Sequence, residues 1–448
     1  MIRLPNLSRV PWLVTIVVLG LLGNALLLAT PGYFSHDELQ WGASAWGPVH
    51  SLHWIDPLDI SPLQYRPLTF NLWLLISNQL FPHPHAYHLL WVAMGIGNAL
   101  LLFTLLRRLG LEALYAAAGS LIFLFNPFST YVHGWVGTLG DVLWLAALLC
   151  ISLLAIGQRR GMGWQTIRLA LIGLLTLLAL LAKESAIVIP GLCALAWLLF
   201  PERRHWLGAT IASGIPVLAY LVLRMHVLAE VPQDSSYAWQ PANIPHRWLE
   251  YQLFAFSPLV PEPQVIAHLS VKRLLIPAIF VVALHCCLAR VHWRLALALL
   301  LGSVAVLGPV LMLGFSAGQY GYGFGMLLAA SGAVAAQQLR HRWRLALGVA
   351  GVVLLLHGVV VQAMIYRVGM LESRFSPQLA ALASQAGPPL RLQVGNGPDW
   401  AYRRLSHEIP AYQGRRYLRE VQIVGADDPA DHQVSGDGSI LPINATQP

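Results

Sequence analysis

The sequence predicts an all-α polytopic membrane protein, and three observations carry that prediction. Of the 448 residues, 56% are hydrophobic and 11% are charged, less than half the charge of an ordinary soluble domain. Apolar runs near the length needed to cross a bilayer recur along most of the chain. Arginines close every second run, which is the pattern that orients membrane helices. The mean hydropathy of +0.60 agrees. The net charge of +8 is parcelled out in short loops, so it encodes topology and does not point to nucleic acid. Cys150, Cys193, Cys286 and Cys287 all lie in apolar runs, with no disulfide framework or metal-ligand spacing.

Taken in order, the expected spans are 11–30, 86–106, 113–128, 140–157, 168–182, 185–200, 207–226, 273–289, 295–315, 322–338 and 344–364, about eleven when judged against the roughly 20 residues a crossing needs. The first is long for the apolar part of a signal peptide and no A-x-A site follows, so it reads as an uncleaved anchor. Residues 67–82 carry Asn71, Ser77, Asn78 and Gln79 and end at Pro82, and they read as an interfacial helix. Charge parity decides that. Without them as a span, Arg3/Arg9, Arg107/Arg108, Arg159/Arg160/Arg168, Arg203/Arg204, Arg290/Arg294 and Arg340/Arg342/Arg344 share one side, with only Glu112 and Glu202 as acids.

That side is the cytoplasm, so the expected topology is a multi-pass cytoplasmic (inner) membrane protein with the N-terminus inside and the C-terminus outside. Residues 1–366 form the membrane domain, with a long first outer loop at 31–85. Residues 367–448 form a small outer region with a strand-like run at Glu420–Val424, ending in a disordered Gly/Ser/Pro segment. Asn444-Ala445-Thr446 fits a glycosylation sequon, a pattern short enough to arise by chance.

The parity gathers sparse charges on the outer side. Asp37 and Glu38 are adjacent acids at the start of the first outer loop, where a carboxylate is either wet, paired or bound to something. They also suit the start of a helix at 38–46, through its dipole. His133 and Asp141 flank a second outer turn; a solvated histidine and a helix N-cap are the plainer readings. Lys183-Glu184 interrupts the apolar stretch Leu171–Pro190, where an ordinary turn uses Gly, Asn or Ser. A lysine there can hold a phosphate as a point charge. Arg224, near the outer end of a span, and Arg66, before the interfacial segment, either snorkel to headgroups or pair with a phosphate. The outer aromatics Trp41, Trp46, Trp54, Tyr65, Trp135, Tyr237, Trp239, Tyr320 and Tyr322 suit a membrane belt or sugar stacking.

Several motifs in this order resemble the GT-C membrane glycosyltransferases, and most closely the O-mannosyltransferase-like proteins that elsewhere carry tetratricopeptide repeats. They are His36-Asp37-Glu38, Tyr65-Arg66-Pro67-Leu68-Thr69, Ala86-Tyr87-His88-Leu89, Asn126-Pro127-Phe128 with Trp135 and Asp141, Ala182-Lys183-Glu184-Ser185, and Leu221-Val222-Leu223-Arg224. The likeness covers roughly residues 10–340. Two features depart from it. Ala317-Gly318-Gln319-Tyr320 stands where the family often has an acidic-basic-Tyr sequence, and the repeats are absent.

The resemblance implies transfer of a sugar from a polyprenyl-phosphate carrier to a hydroxyl of an outer acceptor: a glycan, a lipopolysaccharide or a protein. Asp37 is then the base, supported by Glu38, and a single carboxylate acting on a bound nucleophile implies inversion. Lys183 and Arg224 stabilise the leaving phosphate, with Arg66 and His133 as further candidates, while Asp141 and Glu184 orient these or touch the sugar. No cofactor is required; a divalent metal is compatible with the fold, but no firm ligand set is visible. Two other classes remain open. One is a transporter or flippase of lipid-linked glycans, which favours polar groups near the bilayer midplane. The other is an assembly protein whose basic, aromatic stretch Trp400–Tyr417 binds partners.

Overall fold

The computed structural model describes residues 10–45, 54–157, 161–200, 205–230, 237–395 and 397–443. Arg3, Arg9, Trp46, Arg159, Arg160, Glu202, Arg203, Arg204 and the Asn444 sequon lie outside the described residues.

The chain is mostly helical. It opens with α1 (Val10–Gly23) and α2 (Ala25–Leu28), separated at Asn24. The first loop carries α3 (His36–Ala45) and α4 (Pro67–Leu80). Then come α5 (Pro84–Arg108), α6 (Ala113–Phe125), α7 (Pro127–Gly134), α8 (Leu139–Ala155), α9 (Met162–Ala182), α10 (Ile189–Leu199), α11 (His205–Ala229) and α12 (Ile244–Phe254). The set closes with α13 (Val271–Val291), α14 (Trp293–Leu307), α15 (Tyr322–Gln338) and α16 (His341–Ala383). Prolines at the first position of α4, α5 and α7 set three of these starts, because the ring fixes φ and its missing N–H is not needed there.

Among the described residues, seven helices are long and apolar enough to cross a membrane, and α6 with α7 makes an eighth if the bent pair is one span. The expected spans at 11–30, 185–200 and 322–338 correspond to α1, α10 and α15, of 14, 11 and 17 residues. The 58° bend between α6 and α7 falls at Asn126-Pro127. The residue before proline is pushed to extended geometry, and the Asn126 side chain caps α7 by accepting from the Ser129 amide at 3.1 Å. At Gly358, α16 comes so near this break that a Cβ would sit 1.7 Å from the Phe125 carbonyl oxygen.

Helix α8 is the centre of the bundle, packed against α5 and α9, with 72% of its apolar window buried. In α13 only 22% is buried, so its apolar face is left for lipid. Arg107, Arg108, Arg290, Arg294, Arg340, Arg342 and Arg344 all lie at helix ends or in turns opposite the first loop.

Helix α16 runs across the expected boundary at 366/367. It runs unbroken for 43 residues, roughly 64 Å at 1.5 Å per residue, about twice the thickness of a hydrocarbon core. Its far half carries Phe375, Leu379 and Ala383 into a small sheet domain. There, β1 (Leu390–Val394) pairs in parallel with β4 (Val421–Val424) and β5 (His432–Val434), and β6 (Ile440–Pro442) adds antiparallel to β5. A helix, α17 (Asp399–Ser406), and a hairpin of β2 (Ala411–Tyr412) and β3 (Arg415–Arg416) complete it. β6 is paired as far as Pro442, and residues 444–448 of the expected disordered end lie outside the described residues.

Candidate active site

The site forms where the first loop, the adjoining helix ends and the C-terminal region meet. Glu38 fixes the first loop. Its Oε2 accepts from the amides of Phe34 at 2.5 Å and Ser35 at 2.8 Å, and its Oε1 accepts from the Val136 amide at 2.6 Å. Glu38 is buried, and burial pushes its carboxyl up to about 8, against those three hydrogen bonds and Arg404. Consecutive residues on a helix diverge by about 100°. With Glu38 turned into the protein, Asp37 lines a cavity of about 350 Å³, its side chain 39% exposed. His36 Nε2 lies 3.1 Å from Asp37 Oδ1. Burial lowers the His36 imidazole below its usual range; Asp37 opposes this, while Arg404 and His407 add to it.

One wall of the cavity comes from membrane helices. Lys183 ends α9 in extended backbone, and its Nζ donates to Asp141 Oδ2 at the start of α8. Both side chains are 5% exposed. Lys183 Nζ also stands 5.2 Å from the centre of the Tyr320 ring. Burial lowers the Lys183 ammonium below the usual lysine range, and the adjoining carboxylate restrains the fall. Arg66, at the N-cap of α4, donates through Nε to Glu184 Oε2 at 2.7 Å. Thr69 locks α4 to the same turn by donating to the Ala182 carbonyl at 2.7 Å.

The opposite wall contains residues the sequence did not single out. Arg404, on α17, lines the cavity together with Glu262 and Gln264. Its guanidinium lies over the rings of Phe34 and Trp135, 4.6 and 4.9 Å from their centres. Nothing local marks Arg404: its hydrogen-bond partner Ser35 is 369 residues away. The one sequence signal was the basic, aromatic stretch that contains it.

The structure thus brings Asp37, Asp141, Lys183 and Arg66 to one cavity, with Glu184 behind Arg66. It does not bring Glu38, His133 or Arg224. Glu38 is spent on the three amides. His133 is fully buried, its Nε2 3.1 Å from the Tyr322 hydroxyl. Arg224 is 1% exposed, donates to the carbonyls of Ile60 and Leu63, and stacks on Tyr65 at 5.4 Å. It neither snorkels nor faces the cavity; it pins the first loop to α11. Among the described residues no three His, Cys, Asp or Glu side chains gather where they could hold a metal ion.

No family model matches the sequence, and no curated protein matches it. Solved structures similar in fold include two of ArnT. One is ArnT from Cupriavidus metallidurans bound to undecaprenyl phosphate, with a TM-score of 0.53 and 15% identity over 93% of this chain and 86% of that one. The other is ArnT from the same organism in the apo state, with a TM-score of 0.54 and 14% identity over 90% and 85%. ArnT is a GT-C glycosyltransferase. This chain has the GT-C fold. In this GT-C fold the cavity lies at the ends of α8 and α9, beneath the first loop, and the C-terminal region closes one side.

Proposed function

We propose that the protein is a membrane glycosyltransferase that moves a sugar from a polyprenyl-phosphate carrier to an acceptor hydroxyl. The observation that carries this reading is the placement of one partly exposed carboxylate, Asp37, in a polar cavity that also holds Lys183 and Arg66 and opens at the ends of apolar helices. One of the ArnT structures holds undecaprenyl phosphate, which supports a polyprenyl phosphate as the carrier. The order of motifs shared with O-mannosyltransferase-like proteins favours a hexose. The parity of the arginine clusters favours a site on the outer face of the cytoplasmic membrane, with the N-terminus inside.

The chemistry follows from the groups present. Asp37 accepts the acceptor's hydroxyl proton as that oxygen bonds to the anomeric carbon. The bond from that carbon to the phosphate oxygen breaks on the opposite face, which inverts the centre. The electron pair leaves on the lipid phosphate, and Lys183 and Arg66 stabilise the charge. Both cations are held by carboxylates in the protein as it stands, so a phosphate enters by competing with Asp141 and Glu184. Asp141 and Glu184 therefore hold the cations in place between turnovers.

The test is release of polyprenyl phosphate from a radiolabelled polyprenyl-phosphate hexose by purified protein. Asp37→Asn is expected to lower turnover by a factor of about 10²–10⁴ while the donor still binds. Turnover at the unaltered rate in that variant removes Asp37 from the role of base.

A further inference from the structure

The cations of the cavity differ in how firmly they are held. Lys183 donates directly to Asp141, and Arg66 lies 2.7 Å from Glu184. The Arg404 Nη1 stands 3.6 Å from Glu262 Oε1, beyond hydrogen-bond range. Among the described residues the guanidinium makes one hydrogen bond, from Nε to Ser35 Oγ at 3.1 Å. The rings of Phe34 and Trp135 fix its plane. A planar fork held on aromatic faces, with N–H groups to spare and a counter-ion in ion-pair but not hydrogen-bond contact, suits bidentate capture of an oxyanion. Its carrier is rigid. The neighbouring Tyr402 is buried, packs on Phe375 at 5.1 Å and donates to the Ser435 carbonyl at 2.9 Å. Arg403 on the next position donates to the Ile423 carbonyl at 3.0 Å.

We propose that Arg404 is an oxyanion-binding residue of the cavity, contributed by the C-terminal region, for a phosphate or carboxylate group carried by a substrate. This deepens the glycosyltransferase reading and rests on it. Lys183 and Arg66 form one cationic pole, on α9 and α4, and Arg404 forms a second on α17. Asp37 lies on α3, which packs against both α4 and α17. The C-terminal region is then part of the site rather than a separate partner-binding module.

The experiment is calorimetric binding of undecaprenyl phosphate, and separately of inorganic phosphate, to the full chain in detergent without turnover. Arg404→Gln is expected to weaken one of the two by about tenfold, the loss expected when a charged bidentate donor is removed. Loss confined to undecaprenyl phosphate assigns the anion to the carrier headgroup. Loss confined to inorganic phosphate assigns it to the other substrate. Glu262→Gln removes the competing counter-ion, leaves Arg404 in place, and is expected to tighten the same probe about two- to fivefold. If Arg404→Gln binds both probes as the unaltered protein does, or if Glu262→Gln weakens them, the oxyanion role is wrong and Arg404 only braces the loop. If the unaltered protein fails to bind undecaprenyl phosphate at all, the glycosyltransferase reading fails instead.

Discussion

The two walls of the cavity are charged alike but built differently. On the membrane-helix wall, Lys183 and Asp141 are each 5% exposed and in direct contact, while Arg66 and Glu184, 23% and 25% exposed, are joined by a 2.7 Å hydrogen bond. On the C-terminal wall, Arg404 and Glu262 are 20% and 23% exposed and 3.6 Å apart. Taking two charges out of water is costly, and a buried pair persists only because each ion compensates the other. A half-wet pair carries a smaller desolvation cost and a weaker attraction. The Lys183–Asp141 pair therefore has to stay compensated in the folded protein, whereas Arg404, which lacks a direct hydrogen bond to its carboxylate, can turn to a ligand cheaply. One cavity thus contains a buried, directly paired cation at Lys183 and a less committed one at Arg404.

The largest effect expected from this contrast is at Lys183. Lys183→Ala leaves Asp141 buried without a partner, and a loss of about 3–5 kcal/mol is expected in detergent unfolding. The double change Lys183→Ala with Asp141→Asn is expected to recover most of that stability but none of the activity. Recovery of activity in the double variant places the phosphate elsewhere. The corresponding cycle between Arg404 and Glu262 is expected to give a coupling of about 1 kcal/mol or less. A larger coupling there erases the difference between the walls.

Arg224 and Glu38 set the frame between those walls, with smaller expected effects. Arg224→Ala strips two carbonyls, at Ile60 and Leu63, of a buried charged donor, and about 1–3 kcal/mol of stability is expected to go. Donor affinity is expected to suffer only through the looser loop, less than in Lys183→Ala. A donor-specific loss as large as that of Lys183→Ala would return Arg224 to a phosphate role. Glu38 gives a pH signature. Its folded carboxyl is raised to about 8, above the usual carboxylate range, so the folded state holds a proton that the unfolded chain gives up. That contribution is complete below the ordinary carboxylate value and is lost as pH rises toward 8. Thermal unfolding between pH 5 and pH 8 is expected to show a falling midpoint, with a flatter profile in Glu38→Gln. Identical slopes in the two proteins remove Glu38 as the titrating group.

Much of the bundle was legible because lipid imposes a one-dimensional rule. A helix that faces hydrocarbon must be apolar for a nearly fixed length, so α5, α8, α9, α11, α13 and α14 fall close to their expected ranges. The far half of α16 was not legible. Its buried residues face a protein domain, and mean hydropathy does not register that kind of burial. The Asn126-Pro127 break was visible as a motif but not as a bend. At the site, Asp37, Lys183, Asp141 and Arg66 were legible through topology, because charges confined to one edge of a bundle have few places to go. Arginine at 224 and histidine at 133 suited the same edge by sequence position, yet their side chains turn into the protein, a direction that no count of residues records.

The sequence by itself determined the membrane class, the arginine-marked helix ends and which acids and bases stand at the opposite edge. Those follow from how costly a charge is in hydrocarbon, a property each residue carries alone. The tertiary structure decided which of two adjacent carboxylates faces the cavity, which cations are already committed to a partner, and that α17 reaches Ser35 from across the chain. Those depend on side-chain direction and on contacts between distant segments, and they are fixed only when the helices pack.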